Sequence, residues 1–210
     1  MELQDKIVVI TGAGSGIGRA LALRFQAEGA KQIVCADINL ANAQETADMI
    51  GGVAMLADVA KEEDTARIIE DTEANIGPID LFCCNAGVGY GESIHSPNEQ
   101  WQSIWDINVM SHVYAARHLV PRMVERGSGY FLNTSSAAGL LNQIGGAAYG
   151  VTKHAAVGFG EWLAIHHKHE GIGVSMLCPQ AVRTAMTAVD NDAVAAAANN
   201  GMIEPEELAD

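Results

Sequence analysis

The chain lacks any apolar run longer than a strand, so no segment reads as a membrane-spanning helix. Its opening residues, Met1-Glu2-Leu3-Gln4-Asp5-Lys6, lack the basic and apolar regions of a signal peptide, and the expected location is the cytoplasm. Basic residues are few: 12 Lys and Arg stand against 26 Asp and Glu, a net charge of −14. That balance argues against nucleic acid and anionic membrane as partners. It leaves room for an anionic ligand held by backbone amides. The four cysteines, Cys35, Cys83, Cys84 and Cys178, form no C-x-x-C pair. They sit in apolar, strand-like runs and read as small buried hydrophobes, with no disulfide or metal expected. His166, His167 and His169 fall in the last turn of a helical pattern, where positive charge suits the dipole, and are not read as ligands.

What is present is a globular composition, 49% apolar and 18% charged over 210 residues. It fits one domain, 1–210, with no linker between strand and helix signals. Ile7 to Ile10 are four apolar β-formers, and Thr11-Gly12-Ala13-Gly14-Ser15-Gly16-Ile17-Gly18 follows, then a helical pattern from Arg19. Strand, glycine turn and helix make a phosphate cradle, because backbone N–H groups and the helix dipole face the anion. The glycines read T-G-x-x-x-G-x-G, not G-x-G-x-x-G. Gly12, Ser15, Gly16, Ile17 and Gly18 are the candidate contacts.

Further strands are expected at Gln32–Asp37, Val53–Ala57, Ile79–Cys84, Tyr130–Thr134 and Ile172–Cys178, alternating with helical patterns. This alternation predicts an α/β fold, a doubly wound parallel sheet of the Rossmann type in three layers with six legible strands. Asp37 ends the second strand, 19 positions beyond Gly18. It reads either as a ligand for both ribose hydroxyls of an adenine dinucleotide or as a helix N-cap. Asn85-Ala86-Gly87-Val88-Gly89-Tyr90-Gly91 is a second small-residue loop at a strand end. Ser96 and Glu99 read as a capping box around Pro97. The helix they open runs to about Arg126 with a bend expected near Pro121. Asn108 interrupts its apolar stripe, as a solvent-facing residue or as part of a site.

Tyr149-Gly150-Val151-Thr152-Lys153 sets a phenol and an ammonium on one helix face. A tyrosine has a pKa of about 10 and is a poor base near neutrality; a nearby cation lowers that value. The lowered phenol can exchange a proton with an alcohol or ketone. Residues 185–201 read as a short helix or a flap, and Glu204-Pro205-Glu206-Glu207-Leu208 as a helix start.

In order along the chain, Thr11-Gly12-x-x-x-Gly16-x-Gly18, Asp58-Val59, Asn85-Ala86-Gly87, Asn108, Ser136 and Tyr149-x-x-x-Lys153 resemble the short-chain dehydrogenase/reductase family. The resemblance covers essentially the whole chain. It implies an oxidoreductase that moves hydride between NAD and a secondary alcohol or ketone, with Tyr149 as acid/base. Ser136, and not Ser135, is implied to bind the reacting oxygen. Lys153 is implied to bind the nicotinamide ribose and lower the Tyr149 pKa, and Asn108 to hold a relay water. It further implies that Asp58 and Val59 contact adenine, that the loop at 85–87 supports the cofactor, and that Thr184 meets the nicotinamide end. Homodimers or homotetramers are implied as well.

NADP is the less favoured cofactor, because Asp37 repels a 2′-phosphate. The alternatives are an NADP-preferring ketoreductase and a non-catalytic nucleotide-binding member. The chain departs from the family at Pro179-Gln180, where Pro-Gly is usual, and in lacking a seventh strand, so it is expected to be incomplete at its C-terminus. The substrate is expected to be neutral and moderately apolar, with Val88, Tyr90, Leu140, Leu141, Gln143, Gln180 and residues 185–201 as walls.

Overall fold

The computed structural model describes residues 1–90, 93–188, 194, 198 and 201–210. Six strands form one parallel sheet: β1 (Ile7–Thr11), β2 (Gln32–Asp37), β3 (Val53–Leu56), β4 (Leu81–Cys84), β5 (Gly129–Thr134) and β6 (Ile172–Leu177). Their order is β3-β2-β1-β4-β5-β6. β1 and β4 are buried throughout, as apolar runs covered on both faces must be. They pair Val9 with Phe82 and Ile10 with Cys83 at the place where the chain reverses its direction of travel across the sheet.

The helices are α1 (Gly16–Ala27), α2 (Leu40–Ile50), α3 (Glu62–Asn75), α4 (Asn98–Trp105), α5 (Ser111–Glu125), α6 (Ala147–His167) and α7 (Pro205–Ala209). Right-handed crossovers place α1 and α2 on one face and α3 to α6 on the other. Two apolar cores result. Val8, Ile10, Leu21, Phe25, Ala43 and Leu81 fill the first, and Val9, Ile68, Phe82, Leu119, Phe131 and Leu163 the second. α7 packs on α1. Glu73 on α3 accepts from Arg126 at 2.8 Å, Arg122 at 3.2 Å and the Ile79 amide at 3.2 Å, which fixes α3 to the end of α5 and the start of β4.

Three expectations change. The helical run from Asn98 to Glu125 carries Pro121 inside α5 and is interrupted earlier by a π turn at Asp106–Met110. The Ser111 hydroxyl donates to the Ile107 carbonyl at 2.6 Å there. The capping box does not form: Pro97 is the cap residue, with no side-chain cap bond, and the Ser96 hydroxyl accepts instead from the Ser93 amide at 3.3 Å. Cys178 lies beyond β6 and is half-buried, unlike the other three cysteines. Of 185–201, Ala185–Thr187 is a 3-10 turn. Residues 189–193, 195–197 and 199–200 lie outside the described residues, as does Gly91 of the loop after β4.

Candidate active site

The turn after β1 is shaped by contact. Gly12 has φ +66°, and a Cβ there would stand 2.9 Å from the Ala86 Cα. Gly16 has φ +51°, with a Cβ 3.0 Å from the Thr184 methyl. At Gly18 a Cβ would meet the Gly12 carbonyl at 2.2 Å, so Gly18 underlies the turn and does not reach the cleft. Gly14, which the motif left unassigned, donates its N–H to Asp37 Oδ2 at 2.9 Å and has no room for a side chain against that carboxylate. Asp37 Oδ1 accepts from the Asn39 amide at 2.8 Å. Asn39, not Asp37, is the N-cap of α2, which removes the capping alternative for Asp37. The one nearby guanidinium, Arg19, is held by Glu45, Thr46 and the Gly14 carbonyl at 2.7–3.2 Å.

The ends of the central strands are tied by Thr11. Its hydroxyl donates to the Cys83 carbonyl at 3.2 Å and accepts from the amides of Asn85 at 3.0 Å and Ala86 at 3.1 Å. Asn85 donates back to the Thr11 carbonyl at 3.0 Å and accepts from the Thr134 hydroxyl at 3.2 Å. β1, β4 and β5 thus share one side-chain network.

Asn108 is fully buried in the π turn, which overturns its solvent-facing alternative. Its amide brackets Val88, accepting from the Val88 N–H and donating to its carbonyl, both at 2.9 Å, and it donates to the Thr152 hydroxyl at 3.2 Å. A Cβ on Gly87 would stand 3.2 Å from Asn108 Oδ1 and 3.3 Å from Lys153 Nζ, so the loop passes close between them. Ser135 and Ser136 diverge. The Ser135 hydroxyl donates to the Lys153 carbonyl at 2.9 Å, fixing α6 to the end of β5. The Ser136 hydroxyl accepts from the Ala138 amide at 3.1 Å and faces Tyr149.

Burial pushes the Tyr149 phenol up, and the Ser136 hydroxyl offsets part of that rise. Burial pushes the Lys153 ammonium down to about 8. Lys153 Nζ lies 5.5 Å from the Tyr149 ring centroid and donates to the Thr134 carbonyl at 3.3 Å.

A cleft of about 410 Å³ runs along the carboxyl ends of the strands. Asp58 and Val59 line it after β3, Asp37 after β2, Gly12, Ser15, Gly16 and Ile17 after β1, and Asn85, Ala86 and Gly87 after β4. Ser136, Tyr149, Lys153, Gln180 and Thr184 complete it. Every site residue expected from the sequence lines this cleft except Gly18 and Asn108, which support it from beneath. Of the expected substrate walls, Val88, Gln180 and, from 185–201, Ala185, Met186 and Thr187 line it, whereas Tyr90, Leu140, Leu141 and Gln143 do not; Ile107 and Val182 line it as well. Among the described residues no cluster of His, Cys, Asp or Glu suits a metal.

The residues present fit a dinucleotide. The side-chain-free turn of Gly12 and Gly16 lines the middle of the cleft, with a carboxylate at one end and a phenol with an ammonium at the other. Thr11, Gly14, Ser135 and Thr152 were not singled out from the sequence as structural partners of the site. Thr11 is itself part of the first motif, and the signal of the other three is adjacency to motif residues.

Comparison with known proteins gives one consistent result. Residues 6–195 match the short chain dehydrogenase family model. The chain is 35% identical over 195 residues to 1-deoxy-11-beta-hydroxypentalenate dehydrogenase of Streptomyces exfoliatus, covering 89% of this chain and 70% of the relative. It is 32% identical over 191 residues to human epidermal retinol dehydrogenase 2, covering 86% of this chain and 62% of that longer protein. A crystal structure of a short chain dehydrogenase/reductase from Burkholderia phymatum in complex with NAD superposes with a TM-score of 0.89 at 27% identity, covering all of this chain and 84% of the other.

Proposed function

Because the chain belongs to the short-chain dehydrogenase/reductase family, we propose that it is an NAD-dependent oxidoreductase that interconverts a secondary alcohol and its ketone with Tyr149 as acid/base. That it is a nicotinamide-dependent enzyme acting on CH–OH or C=O groups follows from the family. The observation that carries the finer reading is the meeting of Ser136, Tyr149 and Lys153 at one end of a cleft whose other end presents Asp37.

The cofactor supplies the hydride acceptor or donor when bound. Gly12, Ser15, Gly16 and Ile17 hold its pyrophosphate, Asp37 its adenosine ribose, and Asp58 and Val59 its adenine. Asn85, Ala86, Gly87 and Thr184 flank the nicotinamide end. Lys153 takes the second ribose. NAD is favoured over NADP because both Asp37 oxygens are anchored by backbone amides, so the carboxylate cannot swing away from a 2′-phosphate. Arg19, engaged by Glu45, does not neutralise it.

In the oxidation direction the Ser136 hydroxyl donates to the substrate oxygen and Tyr149 Oη takes its proton. The phenolate this requires is costly in a buried site; the Ser136 hydroxyl offsets part of that cost, and the Lys153 ammonium is the cation expected to offset more. Asn108 acts through the backbone it holds: clamping Val88 fixes the loop beneath Lys153. The lining residues Val88, Ile107, Val182 and Met186 are apolar and Gln180 is neutral, which supports a neutral, moderately apolar substrate. The names of both relatives specify an alcohol, a hydroxypentalenate and retinol. Incubation with NAD and a panel of secondary alcohols, followed by nicotinamide absorbance, tests the reading; no turnover of any alcohol or ketone despite tight NAD binding turns it toward a non-catalytic member.

A further inference from the structure

Beneath the cleft lie four polar atoms that this mechanism does not use. His112 and Asn133 are each 1% exposed. Neither ring nitrogen of His112 and neither amide atom of Asn133 makes a well-formed hydrogen bond among the described residues. Leaving them unpaired forfeits stability at each atom, and native interiors rarely tolerate it.

Their placement ties them to Lys153. His112 stands in the first turn of α5, four residues past Asn108. Asn133 alternates with Phe131 on β5, and Phe131 belongs to the core under α5 and α6, so both side chains point to that layer. The charge of Lys153 reaches the His112 ring, and the Asn133 amide lies close enough to act on it as a hydrogen-bonding neighbour. Lys153 donates to the carbonyl of Thr134, the residue next to Asn133. The titratable groups that act on Lys153 are Tyr149 from its own helix, Cys178 from beyond β6 and His112 from α5. None of them is a carboxylate. A buried ammonium with three donors and one carbonyl acceptor at 3.3 Å needs further polar solvation.

We propose that His112 and Asn133 hold a buried water against Lys153, and that this makes them positioning residues which keep the ammonium charged and in place. The water bridges what the side chains leave unpaired: a neutral imidazole offers one donor and one acceptor, and the amide offers both kinds. Burial and the Lys153 charge hold the imidazole neutral, so it adds no repulsion to the ammonium. The inference rests on the proposed role of Lys153, yet its test does not need turnover.

The test is an NMR titration of the full chain, without cofactor, labelled with ¹³Cε-lysine, with Lys153→Arg identifying the resonance. His112→Leu dries the site, and the Lys153 midpoint is expected to fall by about one pH unit, the direction desolvation imposes on a lysine. His112→Gln, which keeps a donor and an acceptor, is expected to restore a midpoint near that of wild type. An unchanged midpoint in a folded His112→Leu protein, or a fall as large in His112→Gln, overturns the proposal. Should His112→Leu not fold, Asn133→Leu makes the same test from the strand, with the same expected fall and the same contrary result. Absence of turnover in wild type counts against the oxidoreductase reading alone; absence of the shift counts against the water site alone.

Discussion

His112 and Asp37 show how single side chains carry consequences beyond their contacts. Burial first, then the Lys153 charge, lowers the His112 pKa from its ordinary 6.5 to about 3. An unfolded chain protonates this residue near 6.5 while the folded chain does not, so the unfolded state binds more protons throughout that interval. Stability is therefore full above 6.5 and falls as pH drops toward 3. Between pH 6.5 and 5 the loss amounts to about 2 kcal/mol. Denaturant unfolding at pH 7.5 and 5.0 is expected to show this slope in wild type and lose it in His112→Gln; equal slopes would contradict the assignment. Glu73 acts in a separate window. Burial alone would raise it, but Arg126, the Ile79 amide and Arg122 hold it low, so its contribution fades only as pH falls below 4.5. At Asp37, replacement by Ala is expected to narrow the preference for NAD over NADP by at least about tenfold, mostly through KM for NADP. An unaltered cofactor ratio would mean that this carboxylate does not read the ribose.

At the scale of elements, the clamp between the π turn and the loop after β4 is the most exposed to test. Asn108→Ala removes three hydrogen bonds and leaves the half-buried Val88 amide and carbonyl unpaired. The expected cost is about 2–3 kcal/mol in denaturant unfolding, with loss of turnover, because the same loop lies under Lys153. Near-wild-type stability would show that the loop holds itself. The sequence made the strands legible because each is an apolar run bounded by polar or glycine punctuation, and the Tyr149/Lys153 pair legible because i and i+4 share a face. It did not reveal the π turn. One extra residue per turn leaves the stripe of Ile104, Ile107, Val109 and Val113 almost intact, and Pro121 is the more conspicuous residue of the run. Nor did it show that Lys153 is itself pushed down by burial, since charge effects between i and i+4 can be counted from spacing whereas desolvation needs the packed fold. Gly14 was invisible for a related reason: its role depends on a carboxylate 23 residues later that returns to its amide.

Over the whole molecule, the six strands place every candidate group at one edge of the sheet, so chemistry assembled from distant segments needs no long insertion to meet. α6 carries this edge inward through Tyr149 and Lys153 and turns Val151, Trp162 and Ile165 outward, 47%, 52% and 81% exposed on one helix face. That face is the place where the homodimer or homotetramer expected from the sequence would form. Sedimentation of Ile165→Glu is expected to give a smaller species than wild type; a wild-type monomer would remove the oligomer from the account. The net charge of −14 reaches into the cleft through Asp37 and Asp58, with Lys153 as the cation lining it.

The central claim is that Tyr149 moves the proton in an NAD-dependent reaction, and Tyr149→Phe tests it most directly. NAD affinity, read by binding, and alcohol oxidation, read by nicotinamide absorbance, are measured side by side in wild type and variant. Binding is expected to stay within about threefold, since the phenol contributes little to holding the dinucleotide, while kcat falls by roughly 10²–10⁴, the size of a lost general base. A variant that binds NAD and oxidises alcohol at the wild-type rate contradicts the account.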